Sequence, residues 1–202
     1  MSGATPDRSE AGSPDGTASL VATVGAVVGV HRSAAHGVTK VTHPSITLVA
    51  GIGVEGDAHA GATVQHRYQA SRDPTRPNLR QVHLIPVELL DELAERGHEV
   101  VPGQLGENVT TSGLDLQALP TGTRLRLGAD AVVELTGLRT PCRLIDRVAP
   151  GVMSRLIDRD DEGRTVRRAG VMAIVVVNGV VHAHDPIRVH PPDGDASPMA
   201  PV

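Results

Sequence analysis

The pattern of apolar and polar positions changes character along the chain. Residues 1–19 are mostly Ser, Gly, Ala, Pro, Asp and Thr with almost nothing to bury, which predicts a disordered tail. From Leu20 a β-branched run, Leu-Val-Ala-Thr-Val-Gly-Ala-Val-Val-Gly-Val, predicts a buried strand, with Gly25 and Gly29 as the places where it bulges. A second strand is expected over Ser45 to Ala50, followed by a Gly-rich turn from Gly51 to Gly61. Ala62 to Asn78, rich in Arg, Pro and Gln, has no clean period and is expected as an exposed loop or lid. Gln81 to Ile85 predicts a short strand. Pro86 can open a helix because its missing N–H is not needed there. Val87, Leu89, Leu90, Leu93 and Ala94 then fall at helical spacing, and Gly97 provides the stop.

Downstream the strand pattern returns over Asn108 to Thr111, Thr123 to Leu127 and Ala131 to Thr136, the last two joined by a Gly128-Ala129-Asp130 turn. Val171 to Val177 and Val180 to His184 flank Asn178-Gly179, a pair that predicts a tight hairpin with positive φ at both turn positions. Ile187 to His190 is the last expected strand. Between Pro141 and Asp161, six apolar residues interrupted by Pro150-Gly151 predict one or two short helices. Short strands separated by turns favour a closed barrel over an open sheet. The fold class is therefore mainly β, a barrel with two or three short helices, over a domain of residues 20–192 that a flexible tail, 193–202, follows.

Composition narrows the function. Hydrophobic residues make up 40% of the 202, with no Phe or Trp and with Tyr68 as the only aromatic, so the core must be aliphatic. Missing stacking platforms and a net charge of -4 argue against nucleic acid as a partner. No apolar run reaches the ~18 residues of a membrane span, and no secretory signal is expected, because no basic segment followed by an apolar one stands near residue 1. Cys142 is the single cysteine, so no intramolecular disulfide can form, and a cytoplasmic location is expected.

Three groups of residues carry candidate chemistry. Cys142 stands between Arg139 and Arg143 just before a helical pattern, surroundings that can lower a thiol pKa to ~3.5–7.5. A thiolate serves as nucleophile, sulfur carrier or soft metal ligand. The plain alternative is a buried Cys acting as a small hydrophobe. Asp57 and His59 lie in Gly56-Asp57-Ala58-His59-Ala60-Gly61, whose glycines let backbone approach a ligand. His83 falls in a strand, and His182 and His184, two apart, would share a metal with Asp57 or Asp185, although no established metal spacing accompanies them. The third group is Gly103-Gln104-Leu105-Gly106-Glu107-Asn108-Val109-Thr110-Thr111, where Asn108 offers donor and acceptor to a pterin-like or nucleobase-like edge, or simply closes a turn on its own backbone. Neither Gly-rich stretch ends as a phosphate loop does, which sets aside kinases and NTPases.

Taken in order, Gly53-Val54-Glu55-Gly56-Asp57-Ala58-His59-Ala60-Gly61, Gly106-Glu107-Asn108-Val109-Thr110-Thr111 leading to Gly113-Leu114 and Leu119-Pro120, and Arg139-Thr140-Pro141-Cys142 resemble the MOSC domain. That module occurs at the C-terminus of molybdenum cofactor sulfurases and in stand-alone bacterial proteins, and the resemblance extends over about residues 20 to 192. It implies a barrel of the pyruvate-kinase type, a functional Cys142, and work with molybdenum cofactor (molybdopterin) or activated sulfur. Stand-alone bacterial members resemble reductases of N-hydroxylated bases, so Cys142 would ligate molybdenum. Arg80, Arg139 and Arg143 would neutralise the cofactor phosphate, and Asn108, Asp57 and His59 would orient pterin or a small-molecule substrate. Electrons would come from a donor protein, since no flavin, haem or iron–sulfur signature is present. One alternative is a sulfur carrier whose Cys142 takes a persulfide from a sulfur-donor protein. Another is a non-catalytic module that binds a small anion, or a partner through the Arg67 to Arg80 loop. Pyridoxal phosphate is not expected to be held covalently, because Lys40 is the only lysine and the chain has no room for the aminotransferase-like domain of the sulfurases.

Overall fold

The computed structural model describes residues 23–65, 70–194 and 197–202. The tail expected over 1–19, like Arg67 and Tyr68 of the Arg-rich loop, lies outside the described residues. In chain order the first strands are β1 (Thr23–Arg32), β2 (Val41–His43), β3 (Ser45–Val49), β4 (Gly53–Val54), β5 (Val82–Pro86) and β6 (Val109–Ser112). They are followed by β7 (Arg124–Leu127), β8 (Ala131–Leu138), β9 (Ile157–Arg159), β10 (Thr165–Arg167), β11 (Val171–Val177), β12 (Gly179–His182) and β13 (Pro186–His190). Two helices, α1 (Val87–Glu95) and α2 (Val152–Arg155), and a 3-10 turn over Arg143–Arg147 complete the elements described.

Seven strands close on themselves in the order β1, β13, β7, β8, β11, β5, β6 and back to β1. Every pairing in this barrel is antiparallel except β5 with β6, whose parallel register follows from the crossover through α1. Along β8, Ala131, Val133 and Leu135 alternate with half-buried residues, so one face fills the barrel. Leu84, Val109, Leu125, Leu127, Val171, Ala173 and Ile187 meet them there. Burying each Val, Leu or Ile contributes about 1.5–3 kcal/mol, which lets an aliphatic core replace the missing aromatics. The bulges expected in β1 are present, with register shifts at Gly25 and at Gly29. A Cβ on Gly25 would stand 2.6 Å from the Ser112 carbonyl oxygen, so only glycine lets β1 and β6 close at that point.

Pro86 caps α1 from outside its first turn, and Gly97, at φ +83°, follows its end. Leu89, Leu90 and Leu93 turn inward and join Ile85, Leu105, Ile145, Val152 and Leu156 in a second apolar cluster on the outside of the barrel. The expected Asn178-Gly179 hairpin does not form. β11 lies between β5 and β8, whereas β12 pairs with β3 in a small sheet that also contains β4. The chain passes from one sheet to the other here. The Asn178 carboxamide oxygen accepts the Ala50 N–H at 2.6 Å, and a Cβ on Gly179 would lie 2.4 Å from the Ala131 nitrogen. Close approach, not a positive-φ turn, is what this glycine serves.

The end of the chain also differs from the expected tail. Residues 199–202 run beside the end of β8: Leu138 N–H donates to Ala200 O at 2.9 Å, Val202 N–H donates to Leu138 O at 3.2 Å, and Met199 is buried in the barrel cluster. Met199 and the two backbone groups of Leu138 fasten a segment whose other residues are small, Pro or Val. Among the described residues no helix is long and apolar enough to cross a membrane.

Candidate functional site

The strand register stacks several polar residues at one mouth of the barrel. Met172 of β11 lies opposite both His83 of β5 and Gly137 of β8. Asn108 stands just before β6, its N–H donating to His83 O at 2.8 Å while its own carbonyl accepts from His31 N–H at 2.8 Å. Above this level opens a cavity of ≈ 330 Å³, walled by Lys40, His59, Arg80, Asn108, Arg139 and Cys142 among others.

Beneath it lies Asp57, its carboxylate closed off from solvent. Oδ2 accepts from Lys40 Nζ at 2.6 Å, from Ser33 N–H at 3.1 Å and from Asn108 Nδ2 at 3.1 Å. Oδ1 accepts from His59 N–H at 3.0 Å and from the His59 ring Nδ1 at 3.2 Å. A carboxylate can only accept, so His59 carries its proton on Nδ1 and in the neutral ring keeps Nε2 as an acceptor. Burial alone would raise the Asp57 pKa, but the hydrogen bonds from His59 and the Lys40 ammonium outweigh it and hold the carboxyl well below the usual range. The pair is unequal: burial lowers the Lys40 pKa by more than Asp57 raises it, because Asp57 has further donors whereas Lys40 has, among the described residues, Asp57 as its acceptor.

Asn108 spends three of its four amide hydrogen-bonding positions inside the protein. Its Nδ2 donates to His31 O at 3.1 Å and to Asp57, and its Oδ1 accepts from His83 N–H at 3.2 Å. Its role is to tie β1, β5 and the Asp57 turn together. The glycines of its motif likewise approach the protein's own chain. A Cβ on Gly103 would lie 2.7 Å from Lys40 O, and one on Gly106 would lie 2.7 Å from Val38 O. Lys40 N–H donates to Gly103 O at 2.8 Å, so this loop carries Lys40 into the site.

Arg139 leaves the end of β8 into the same cavity. The residue is only half-buried as a whole, yet its guanidinium end is enclosed, and Nη1 has neither solvent nor, among the described residues, a hydrogen-bond partner. Burial lowers its pKa to about 10, with the nearby Cys142 opposing the fall, and the group stays cationic at neutral pH. Arg80 is similarly lowered by burial and raised by Cys142. Glu107, behind the site, accepts from Gly103 N–H and Thr110 Oγ1 through one oxygen and has no partner among the described residues on the other. Burial pushes its pKa up. His83 donates from Nε2 to Ala169 O at 2.8 Å, and burial holds its pKa far below normal, so the ring is neutral.

The residues expected from sequence thus separate. Cys142, Arg80, Arg139, His59 and Asn108 line one cavity, and Asp57 supports it from below. Arg143 is exposed and outside the lining, because it begins the 3-10 turn that leads away from the site. Cys142 is exposed at the rim and caps that five-residue turn, which is too short to carry the dipole of a full helix, so Arg139 and Arg80 are the charged neighbours that matter. His182 and His184 do not form a metal pair. β12 ends at His182, whose ring faces Asp185 at 3.7 Å, while His184 takes φ +71° in the following turn. No cluster of three His, Cys, Asp or Glu able to hold a metal exists among the described residues. The predicted loop contributes Val64, Gln65 and Asn78 to the wall. Sequence reasoning missed Lys40, Met172 and Val202, of which only Lys40, as the sole lysine, carried a signal.

The YuaD protein from Bacillus subtilis superposes with a TM-score of 0.65 at 24% identity, over 83% of this chain and 96% of that one. YiiM from Escherichia coli gives 0.54 at 19% identity, over 85% and 73%, and YiiM from Geobacillus stearothermophilus gives 0.54 at 18%, over 87% and 78%. At these identities the likeness establishes the fold. None of the curated proteins matches the chain. The MOSC domain model matches residues 56–188, a span that includes the Asp57 turn, the Asn108 loop and the Arg139 to Cys142 segment, and with well over half its length so matched the chain belongs to the MOSC domain family.

Proposed function

We propose that this protein is a molybdenum-cofactor oxidoreductase acting on small N-hydroxylated molecules, with Cys142 as the protein ligand to molybdenum. The family is associated with molybdenum-cofactor binding. The observation that carries the reading is the enclosed Arg139 Nη1, a cationic donor without a partner among the described residues, in the same cavity as the chain's one thiol. A buried donor of this kind costs stability unless a ligand satisfies it. The cofactor's phosphate suits Arg139 and Arg80, whose planar forks favour bidentate contacts. Its metal suits a soft thiolate at the rim. A volume of ≈ 330 Å³ falls at the small end of cofactor pockets.

When bound, the cofactor would supply the redox centre, with electrons delivered by a separate donor protein. The chain's own residues do the rest. Arg139 and Arg80 hold the anion, and Asp57 fixes Lys40 and His59 at the wall facing the substrate. Asn108 keeps β1, β5 and the Asp57 turn in register. Protein purified from a host that makes the cofactor should contain molybdenum and pterin, with Cys142→Ser losing the metal and Arg139→Met losing both. Wild-type protein that carries neither, and takes up no cofactor in vitro, would overturn the proposal.

The exposure of Cys142 also favours a second reading, transfer of sulfur through a persulfide, because a donor protein can reach the rim. Incubation with a cysteine desulfurase and cysteine would then leave the chain one sulfur heavier at Cys142 by mass spectrometry.

A further inference from the structure

Residues 199–202 lie outside the span matched by the family model, which ends at residue 188, yet Val202 forms part of the cavity wall. We infer that this segment is a specificity-determining strap: it supplies the apolar wall of the ligand site and sets the bulk of substrate that the site admits.

Gly137 leaves a gap in the wall. At the level of the site, β11 presents Met172 and β5 presents His83, but β8 presents a glycine with no side chain. Val202 fills that place from outside the barrel. A Cβ on residue 137 would meet Val202 Cγ1 at 2.7 Å and Ala200 O at 2.3 Å, so the strand and the strap cannot both provide a side chain there. Two backbone hydrogen bonds to Leu138 hold the strap in register, a third joins Thr121 N–H to Ser197 O at 3.0 Å, and Met199 anchors it in the barrel cluster. Leu138 directly precedes Arg139, so the strap is fastened to the strand end that carries the anion-binding group and, three residues on, the thiol. The cavity wall is polar on the Lys40, His59 and Arg80 side. Val202, Met172, Val64 and Pro141 make its apolar part. A compact base with one apolar flank fits such a site, and branched or aromatic flanks meet Val202.

This inference rests on the proposed function only in taking the cavity as the ligand site, and it is testable without cofactor. Cys142 is the only thiol in the chain, so its alkylation by neutral N-alkylmaleimides of increasing bulk reports the space beside it. For wild-type protein the rate should fall from the N-methyl to the N-cyclohexyl probe. In Val202→Gly that ratio should shrink, and in Val202→Phe it should grow, each by about tenfold, as a one-methylene mismatch in an apolar pocket can produce. Gly137→Ala, which displaces the strap while leaving every wall residue in the sequence, should behave like Val202→Gly. Thermal melts of each variant establish that it is folded. Equal bulk dependence in folded wild-type, Val202→Gly and Val202→Phe protein would overturn the strap. Metal and pterin analysis decides the cofactor reading separately, so failure of one leaves the other standing.

Discussion

Replacing Asp57 by alanine tests the organisation of the site most directly. The substitution leaves the Lys40 ammonium, whose side chain is 4% exposed, without its counter-charge, and deprives the Ser33 and His59 N–H groups and Asn108 Nδ2 of an acceptor. Breaking a buried pair from one side costs about 3–5 kcal/mol. In a domain of this size that corresponds to a fall in Tm of about 6–20 °C. Lys40 can escape part of the penalty by losing its proton, because Asp57 is the first of the influences that raise its pKa against burial. Lys40→Met in the Asp57→Ala background should therefore recover stability, with a coupling of about 1 kcal/mol or more in the double-mutant cycle. Urea unfolding of the wild type, the two single variants and the double variant at neutral pH gives all four corners. The sign of the acid response follows from the depressed Asp57 pKa: its contribution is complete above the ordinary value of 3.8 and is lost as pH falls below it, so Asp57→Ala should flatten the acid limb. A loss under about 1 kcal/mol, or strict additivity with Lys40→Met, would refute the pair as the anchor of the site.

His31 is held at about 4 against an ordinary 6.5, burial being the main cause and Lys40 and His43 the lesser ones. Its contribution is therefore complete above 6.5 and is lost as pH falls toward 4, by up to about 3 kcal/mol, and His31→Gln should remove that slope from stability measured between pH 7 and 4. Arg139→Met should raise the stability of ligand-free protein by about 1–3 kcal/mol while abolishing phosphate and cofactor retention, since an enclosed guanidinium with an unpaired Nη1 is maintained against stability; a lower Tm would contradict this. Gly170→Ala should destabilise by about 1–3 kcal/mol in urea, because the residue sits at φ +86° with a Cβ position 2.3 Å from Leu84 O.

Much of the barrel was legible because its signals are local. Alternation along Ala131 to Leu138, the helical spacing of Leu89, Leu90 and Leu93, and glycines at the two bulges of β1 each follow from the residue's own neighbours in sequence. The Asn178-Gly179 pair misled for the same reason. A turn signal describes what two residues can do alone, and here the demand comes from Ala131 and Ala50, which are distant in sequence and close in space. Pairing partners of this kind leave no trace in a short window.

The site divides along the same line. Asp57, Asn108 and Arg139 stood out because glycines or a neighbouring cysteine framed them, but their roles were not readable. Asn108 looks in sequence like a group that meets a ligand, and in the structure three of its four amide hydrogen-bonding positions are engaged within the protein. Lys40 shows the converse. It lies in an unremarked polar stretch, and what makes it part of the site is the absence of side chains at Gly103 and Gly106, which lets the backbone of residues 38–40 come within reach of the Asp57 carboxylate. The glycines that frame the Asn108 motif are room for the chain itself. The space that remains for a ligand is bounded by Arg139, Cys142 and Val202, two from the end of β8 and one from a segment beyond the matched domain, and it is there that cofactor retention and substrate bulk should prove separable by mutation.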